Sequence, residues 1–514
     1  MDKKRSVLNI SVSIVSRLAL LISALIVRRL LIQCIGNEVN GLNSLYTSII
    51  GMLAVAELGI GSAITYSMYK PIVDGEKKRV AALYSLYKRI YLIIGAIIFC
   101  GGLIVLPLLP RLINDYESLN ENIYLAFFLT LISVVLTYLY SAKISLIEAH
   151  KNNYITTVIL TFSKLICYGL QVIAILLWSS YTLYLTCQII DTLIVWAMTE
   201  LVVRKKYKEI ITLRETLDNY TRKEIIKNSK AMFMHKIGMV LVNTVDSVII
   251  SAFIGVVILG KYSNYVLIAG IVASLIALFF TPLTSVIGHL CAGGNRDEIK
   301  SYFDYFYCLN YILGVVSFLG YYAVIDEVVR ICFGAGLEVS HAISFIITMN
   351  QFTKFMRQTA LLFRNASGTF YYDRWKPICE GITNLVLSLL FVQILPEDLR
   401  IVGVIVATII TTLFICHIVD PYVVFKHAFN MPVKEYYIRN YSYIGLFTLA
   451  LISMTYLVRP ANSPVTGIIL NGFISIGVSL VTLGFVTVVD KTFRVEVCTM
   501  GRKALEWSGR VLHR

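Results

Sequence analysis

Eight charged side chains lie inside apolar segments of this sequence, at positions where an ion or a proton could be bound. The cations are Arg17, Lys164, Lys236, Lys354 and Arg357, and the anions are Glu57, Asp191 and Asp246. If these segments cross a membrane, each charge at the bilayer centre costs about 2.5–3.5 kcal/mol on insertion scales. The eight side chains must therefore face one another or a hydrated cavity.

Five cations against three anions make such a cavity net positive, which favours binding of an anion such as a phosphate or pyrophosphate head. Lys and Arg supply charge-assisted hydrogen bonds that replace the water lost by the anion. The carboxylates would hold the cations in place, or take a proton or a sodium ion and so couple a conformational cycle. For any single charge, a static interhelical pair such as Glu57 with Arg17 is an equally good interpretation.

Other charged residues stand near the ends of the apolar segments, where we expect contact with water or lipid head groups. Snorkelling is expected for Arg28 and Arg29, and plain interfacial solvation for Glu148, Glu200, Glu380 and Asp420. Enzyme motifs such as DxD, a P-loop, HExxH or GxSxG do not occur, and the ten cysteines form no CxxC. The sequence predicts a protein with no enzymatic activity, no metal and no cofactor.

The composition predicts an all-α integral membrane protein. The 514 residues are 57% hydrophobic and 15% charged, whereas globular proteins are about 45–50% apolar and about 25% charged. A spanning helix needs about 20 apolar residues. The sequence contains fourteen such segments, at 7–33, 42–67, 85–109, 122–146, 154–178, 181–203, 231–254, 262–287, 302–325, 340–365, 376–396, 399–423, 437–457 and 463–489.

The basic residues predict the orientation of these spans. With the N-terminus in the cytoplasm, 34 of the 46 Lys and Arg fall in inner loops and tails and five in outer loops. This bias follows the positive-inside rule and places both termini in the cytoplasm. The basic loop 204–230 is explained by topology and attraction to anionic lipid, so we expect no nucleic-acid partner.

The sequence also resembles itself at an offset of 219 residues. Gly36, Gly41 and Gly51 fall on Gly255, Gly260 and Gly270, among thirteen matches in 38 compared positions. The offset separates spans 1 and 7, so each repeat holds six spans and the two repeats are parallel. The predicted organisation is an N-lobe (1–203), a cytoplasmic linker (204–230), a C-lobe (231–425), two further spans (426–490) and a cytoplasmic tail (491–514).

Two local patterns leave alternatives open. The glycines of AELGIGSA (56–63) either permit close helix packing or let span 2 bend. The tail has Leu505, Trp507 and Val511 among basic residues. It either lies on the inner membrane surface as an amphipathic helix or is solvated.

Two stretches carry a family resemblance. NEVNGLNSLYTSIIGMLAVAELGIGSAITYSMYKPI (37–72) resembles span 2 of bacterial polysaccharide-biosynthesis flippases of the multidrug/oligosaccharidyl-lipid/polysaccharide (MOP) exporter superfamily. VNTVDSVIISAFIGVVILGKYSNYVLI (242–268) is similar to the span 7–8 region of that family. The length, the fourteen spans and the basic 6–7 loop agree with it.

The resemblance implies a flippase in the bacterial cytoplasmic membrane. Such proteins move an oligosaccharide linked to undecaprenyl pyrophosphate, as used for O-antigen, capsule or exopolysaccharide, through a cationic lumen, driven by an ion gradient or the membrane potential. It also implies a polysaccharide polymerase or glycosyltransferases as partners. The alternatives are a multidrug or organic-cation antiporter of the same superfamily and, less favoured by the short outer loops, a membrane glycosyltransferase.

Overall fold

The computed structural model describes residues 3–57, 60–114, 116–213, 215, 217, 240, 244–280, 283–293, 296–369, 372–459 and 463–512. Throughout these residues the regular structure is helical, as expected. The helices up to residue 253 are α1 (Lys3–Cys34), α2 (Asn37–Leu53), α3 (Ile60–Val73), α4 (Lys77–Val105), α5 (Leu109–Leu112), α6 (Ile123–Ala149), α7 (Asn153–Trp178), α8 (Tyr181–Lys206), α9 (Lys208–Thr212) and α10 (Thr244–Phe253).

The second half of the chain continues with long helices and short connections. They are α11 (Val256–Phe280), α12 (Leu283–Gly293), α13 (Arg296–Cys332), α14 (His341–Met356), α15 (Gln358–Ala366), α16 (Lys376–Ile394), α17 (Arg400–Thr411), α18 (His417–Val424), α19 (Lys434–Leu457), α20 (Pro464–Val489) and α21 (Lys491–Leu512). The two π-helical turns Thr412–Cys416 and Phe425–Phe429 extend α17 and α18 into one segment that is continuously helical.

Helices occupy the predicted spans, although half of the span at 231–254 lies outside the described residues. Within the described residues, nine helical segments are long and apolar enough to cross a membrane. The chain is therefore a multi-pass membrane protein, while the number fourteen stays a prediction. Most of the predicted linker 204–230 also lies outside the described residues.

The chain forms two compact units. One comprises Met1–Lys261 with Cys332–Gly334, and the other comprises Tyr262–Ile331 with Ala335–Arg514. This division follows spatial contacts, whereas the predicted lobes follow span numbers, so the predicted boundaries stay a prediction. Hydrogen bonds explain why α10 belongs with the first unit: the Asn114 N–H donates to the Ser251 carbonyl (3.1 Å), and the Ser251 hydroxyl donates to the Leu112 carbonyl (2.8 Å).

The first turn of α11 is held in the first unit by α2. The Asn37 side-chain amide donates to the Val257 carbonyl (2.8 Å), and the Asn40 amide donates to the Gly260 carbonyl (3.0 Å). The helices approach closely because glycines lie at the crossing. A Cβ on Gly260 would lie 2.5 Å from the Asn37 carbonyl oxygen, and one on Gly41 would clash with the Val256 carbonyl.

This crossing joins positions that the internal repeat relates to each other, since Gly41 and Gly260 are 219 residues apart. The turns before the two helices share a conformation as well. Gly36 has φ 140° before α2, and Gly255 has φ 121° before α11. Glycine adopts such backbone angles without the steric cost that a Cβ brings.

The second unit has an aromatic core. Phe303 on α13 contacts the rings of Phe363, Phe425, Phe429 and Tyr436 in edge-to-face geometry, with centroids 5.2–5.6 Å apart. Phe303 and Phe363 have no exposed surface. Edge-to-face pairs of this kind add about 0.5–1.5 kcal/mol each beyond the burial of area, and they join α13, α15 and α19 to the π-helical turn after α18.

A Gly260→Ala substitution is expected to lower stability, because its Cβ meets backbone atoms that cannot move away cheaply. Overpacking of this kind costs about 1–3 kcal/mol. The matched control is Gly270→Ala in the same helix, where a Cβ meets nothing within 4 Å; alanine there should be neutral or slightly stabilising. Thermal unfolding in detergent measures both, and equal melting temperatures would contradict the tight crossing.

Candidate functional site

Two of the predicted site residues form an ion pair in the first unit. Lys164 on α7 lies 3.1 Å from the Asp191 carboxylate on α8. The other Asp191 oxygen accepts a 2.5 Å hydrogen bond from the Ser163 hydroxyl. The Lys164 ammonium also lies 5.7 Å from the ring centroid of Tyr168. Both charges are therefore held by protein groups, and the Lys164 side chain keeps 37% of its surface exposed.

Glu57 has tyrosines as its partners. It ends a 3-10 turn, Ala54–Glu57, which separates α2 from α3. One carboxylate oxygen accepts a hydrogen bond from the Tyr91 hydroxyl (2.9 Å) and the other from the Tyr138 hydroxyl (2.8 Å). The Tyr87 hydroxyl donates to Tyr91 (3.1 Å), which extends the network along α4.

The glycine pattern after Glu57 serves close packing at one position at least. A Cβ on Gly61 would lie 2.5 Å from the Tyr91 hydroxyl and 2.6 Å from the Tyr87 hydroxyl. The absence of a side chain thus makes room for the tyrosines that bond Glu57. Within the described residues no ion pair reaches Glu57, so the suggested pairing with Arg17 is not seen there.

Arg357 belongs to a buried ion cluster in the second unit. It stands at the break between α14 and α15, and its Nε lies 3.0 Å from Asp420 Oδ2 on α18. Lys376, the first residue of α16, lies 2.6 Å from Asp420 Oδ1, and Arg364 lies 3.6 Å from the same oxygen. Asp420 is fully buried, so three cations surround one ionised carboxylate.

Two further carboxylates complete this cluster. Asp373 lies 2.5 Å from Arg364, and Glu380 lies 3.6 Å from Arg357. The three cations and three anions balance. Arg357 is the most exposed member, with 14% of its side chain accessible, whereas Asp373 has none. The cluster joins α15, α16 and α18 through charges whose separation would leave ions unpaired in a dry interior.

The expectation of interfacial solvation is therefore wrong for Glu380 and Asp420. Both residues are less than 5% exposed, because Glu380 near the start of α16 and Asp420 in the middle of α18 face Arg357 at the break between α14 and α15. Glu200 is also paired, 2.5 Å from Lys143 and 2.6 Å from Arg204. Position near a predicted membrane edge says how deep a residue lies, and it does not say which way its side chain points.

The sequence-based list did not include Arg364, Lys376 and Asp373, although they build the cluster. One signal was present: Asp420 interrupts the apolar run IVGVIVATIITTLFICHIVDPYVV, and an acid there requires a cation. The partner could not be identified, since it lies 44 or 63 residues away along the chain.

Two predicted cations have no ion pair within the described part of the chain. Lys354 on α14 lines a recess of about 160 Å³, with Gln351, Gln358 and the small side chains of Ala273 and Ala277. Arg17 on α1 is exposed.

The remaining predicted site residues are less informative. Asp246 on α10 is 5% exposed. Lys236 lies outside the described residues.

Comparison with known proteins gives a family and a fold. A family model described as polysaccharide biosynthesis protein matches residues 6–287. A structure of the lipid II flippase MurJ in an inward closed conformation is similar with a TM-score of 0.60 at 13% identity, covering 97% of this chain and 100% of that one. An inward-facing multidrug resistance MATE family transporter of the MOP superfamily gives 0.55 at 15% identity, covering 78% of this chain and 96% of that one.

No curated protein sequence matches the chain significantly. At such low identity the two structural likenesses show a shared fold and no shared substrate. The fold is that of MOP-superfamily transporters, as the sequence resemblance implied.

An Asp420→Asn substitution is expected to destabilise the second unit by about 3–5 kcal/mol, because it leaves Lys376 and Arg357 without their shared counter-ion. Glu397→Gln is the matched control. The Glu397 carboxylate is 83% exposed and lies 3.5 Å from Arg400, so its loss should lower the free energy of unfolding by less than about 1 kcal/mol. Unfolding in detergent measures the difference, and equal stability of the two variants would contradict a dry ion cluster.

Proposed function

This chain belongs to the polysaccharide biosynthesis protein family, and on that premise we propose that it is a flippase for a lipid-linked oligosaccharide. The substrate would be an oligosaccharide repeat unit on undecaprenyl pyrophosphate, moved from the inner to the outer leaflet of the bacterial cytoplasmic membrane. Alternating access through a cationic cavity would carry the polar head, while the polyprenyl chain remains in lipid.

The observation that carries this proposal is the recess at Lys354. Gln351, Lys354 and Gln358 recur at helical spacing, and all three line it. An ammonium group offers three donors and no acceptor, whereas each carboxamide both donates and accepts. Phosphoryl oxygens match the first group and sugar hydroxyls match the second. The combination suits a head group that contains both an anion and a glycan.

The charges also argue against an organic-cation antiporter, although a multidrug transporter shares the fold. An exporter of cations needs carboxylates that are available to the cargo. Here the carboxylates of Asp191, Glu380 and Asp420 form ion pairs with lysine or arginine side chains. The predicted site residues without a described ion partner include the cations Lys354 and Arg17, which would repel such a cargo.

Glu57 is our candidate for coupling to a proton gradient. Its carboxylate is bonded by two hydroxyls and has no cation against it in the described residues. A carboxylate held by neutral donors can gain a proton without leaving a cation unpaired. At Asp420 the same proton would remove the described counter-ion of Lys376 and leave three buried cations with two carboxylates. Asp191 and Asp246 are the other proposed coupling or pairing groups, and Na⁺ is the alternative ion.

The substrate chemistry defines the partners of this reaction. Glycosyltransferases must build the repeat unit on the inner leaflet, and a polymerase or ligase must consume it on the outer leaflet. A direct contact with a polymerase or a glycosyltransferase is part of the proposal. Both termini are proposed to be cytoplasmic.

Lys354→Ala is expected to lower translocation about ten- to a hundredfold at normal abundance. A hydrogen bond to a charged group contributes about 1.5–3 kcal/mol, and about 1.4 kcal/mol corresponds to a factor of ten. Lys354→Arg should retain part of the activity because it keeps the charge. Flipping of a fluorescent lipid-linked oligosaccharide in proteoliposomes measures the rate, and surface polysaccharide measures it in cells.

Lys78→Ala is the control, since Lys78 is an exposed cation in the first turn of α4. Parental transport by Lys354→Ala would refute the role of the recess. Rescue of cells from toxic organic cations, without flipping of the glycolipid, would favour the antiporter.

Glu57→Gln should abolish the response of flipping to an imposed pH gradient, because glutamine has the same shape and takes no proton near neutral pH. Its oxygen can accept from one tyrosine hydroxyl, and its NH2 group can donate to the other. Glu117→Gln, at an exposed carboxylate that also bonds a tyrosine, is the control. Proteoliposome flux with and without a pH gradient measures the effect. Flux that follows a sodium gradient and ignores pH in the parent would contradict proton coupling.

A further inference from the structure

Helix α21 begins where the membrane span α20 ends. Only Asp490 separates Val489 from Lys491. The Asp490 carboxylate accepts hydrogen bonds from the backbone N–H groups of Thr492 (2.8 Å) and Phe493 (3.1 Å). The Asp490 side chain therefore caps the N-terminus of α21. Because Asp490 is the single residue between α20 and α21, no flexible linker separates the two helices.

The same carboxylate fastens this junction to the second unit. Its other oxygen accepts from the Tyr443 hydroxyl (2.7 Å) and from Arg439 (3.1 Å), and Arg439 also contacts Asp304 on α13 (3.0 Å). Burial raises the pKa of Asp490, but the hydrogen bonds from Tyr443 and Phe493 outweigh it and hold the pKa below its usual range. The cap is thus ionised at neutral pH.

Two further side chains fix the first turn of α21. Phe493 has no exposed surface and packs in edge-to-face geometry against the rings of Tyr311 and Tyr443, with centroids 6.0 and 5.9 Å away. The Arg494 guanidinium donates to the carbonyls of Thr487 and Val488 and so satisfies the end of α20. The start of α21 is consequently anchored at the depth where α20 leaves the membrane.

The sequence of α21 is amphipathic from that anchored turn onward. Apolar residues recur at helical spacing after Phe493, at Val497, Met500, Ala504, Trp507 and Val511. Residues 491–514 contain six Lys or Arg and two acids, Glu496 and Glu506. An apolar stripe with cations beside it is the pattern of helices that lie in the membrane interface.

An open cavity of about 440 Å³, lined mainly by apolar surface, lies at the junction itself. Polar groups from Ser442, Lys491 and Thr492 meet the apolar side chains of Val486 and Val489 there, and the charged residues Glu435, Arg439 and Asp490 also line it. Lys491 is exposed and has no ion pair within the described residues. Arg439 is paired with Asp490, so the cavity presents the Lys491 ammonium and two hydroxyls, opposed by the Glu435 carboxylate, beside the last apolar turn of a membrane span.

We propose that α21 is a binding surface for anionic phospholipid of the inner leaflet and that this junction cavity holds one phosphate head group. The apolar stripe enters the interface, and the cations contact neighbouring head groups. Lys491, Ser442 and Thr492 donate to the phosphate in the cavity. Glu435, which also lines it, would disfavour a second anion.

The four tryptophans of the chain permit a direct test. Changing Trp178, Trp196 and Trp375 to Phe leaves Trp507 as the reporter in the full-length protein. It is reconstituted in phosphatidylcholine alone or mixed with phosphatidylglycerol, each with brominated acyl chains that quench tryptophan on contact. Quenching of Trp507 is expected in the anionic mixture, with loss of that quenching in high salt or in neutral lipid.

Charge variants separate lipid recognition from simple apolar burial. Changing Lys491, Arg502, Lys503 and Arg510 to Gln should abolish the quenching in the anionic mixture. The matched control changes four exposed lysines elsewhere, Lys78, Lys205, Lys206 and Lys208, and should keep it. Equal quenching in both lipids and in all variants would overturn anionic recognition, and absence of quenching throughout would place α21 in solution or on a protein.

The head-group cavity has its own readout. Native mass spectrometry of the purified protein with added phosphatidylglycerol should show the loss of one bound lipid in Lys491→Gln, relative to the parent and to Lys205→Gln. An unchanged number of bound lipids would refute the cavity. None of these measurements depends on transport.

Discussion

An ionised side chain in a membrane must be matched by an opposite charge, by hydrogen-bond donors or by water. The internal charges of this protein satisfy that constraint in different ways. Asp420 is matched by three cations, and Glu57 accepts hydrogen bonds from tyrosine hydroxyls. Lys354 lines a recess together with two glutamines. The type of match separates groups that hold the fold together from groups that are available to a substrate or a proton.

The ion cluster of the second unit belongs to the first kind. Its six charges balance, and every carboxylate is buried against arginine or lysine. A buried pair contributes little net stability compared with an apolar pair, but loss of one partner is expensive. Such a cluster therefore favours one arrangement of α15, α16 and α18. Arg357, which was predicted to bind substrate, lies in this cluster with Asp420 and Glu380 as partners, and its role toward substrate stays a prediction.

The same constraint underlies the two roles that we propose for substrate binding and for coupling. A cation without a described ion pair, Lys354, would give an anionic head group a place to release its water. A carboxylate with neutral donors, Glu57, can change its charge without leaving an ion unpaired. In the proposed orientation, the anchored start of α21 would bring further cations to the lipid head groups of the inner leaflet, where the surrounding anions are lipid phosphates.

The sequence by itself determined the helical character, the positions of the apolar spans, their proposed orientation and the repeat that relates Gly41 to Gly260. These features depend on hydropathy, charge and local spacing, which act along the chain. Only the tertiary structure decided which charges are paired. Asp191 meets Lys164 from 27 residues away, and Asp420 meets Lys376 from 44. The partner of an ion is set by which helix faces pack together. A single sequence indicates how deep a residue lies in the membrane, but it does not indicate the direction in which that residue points around the helix axis.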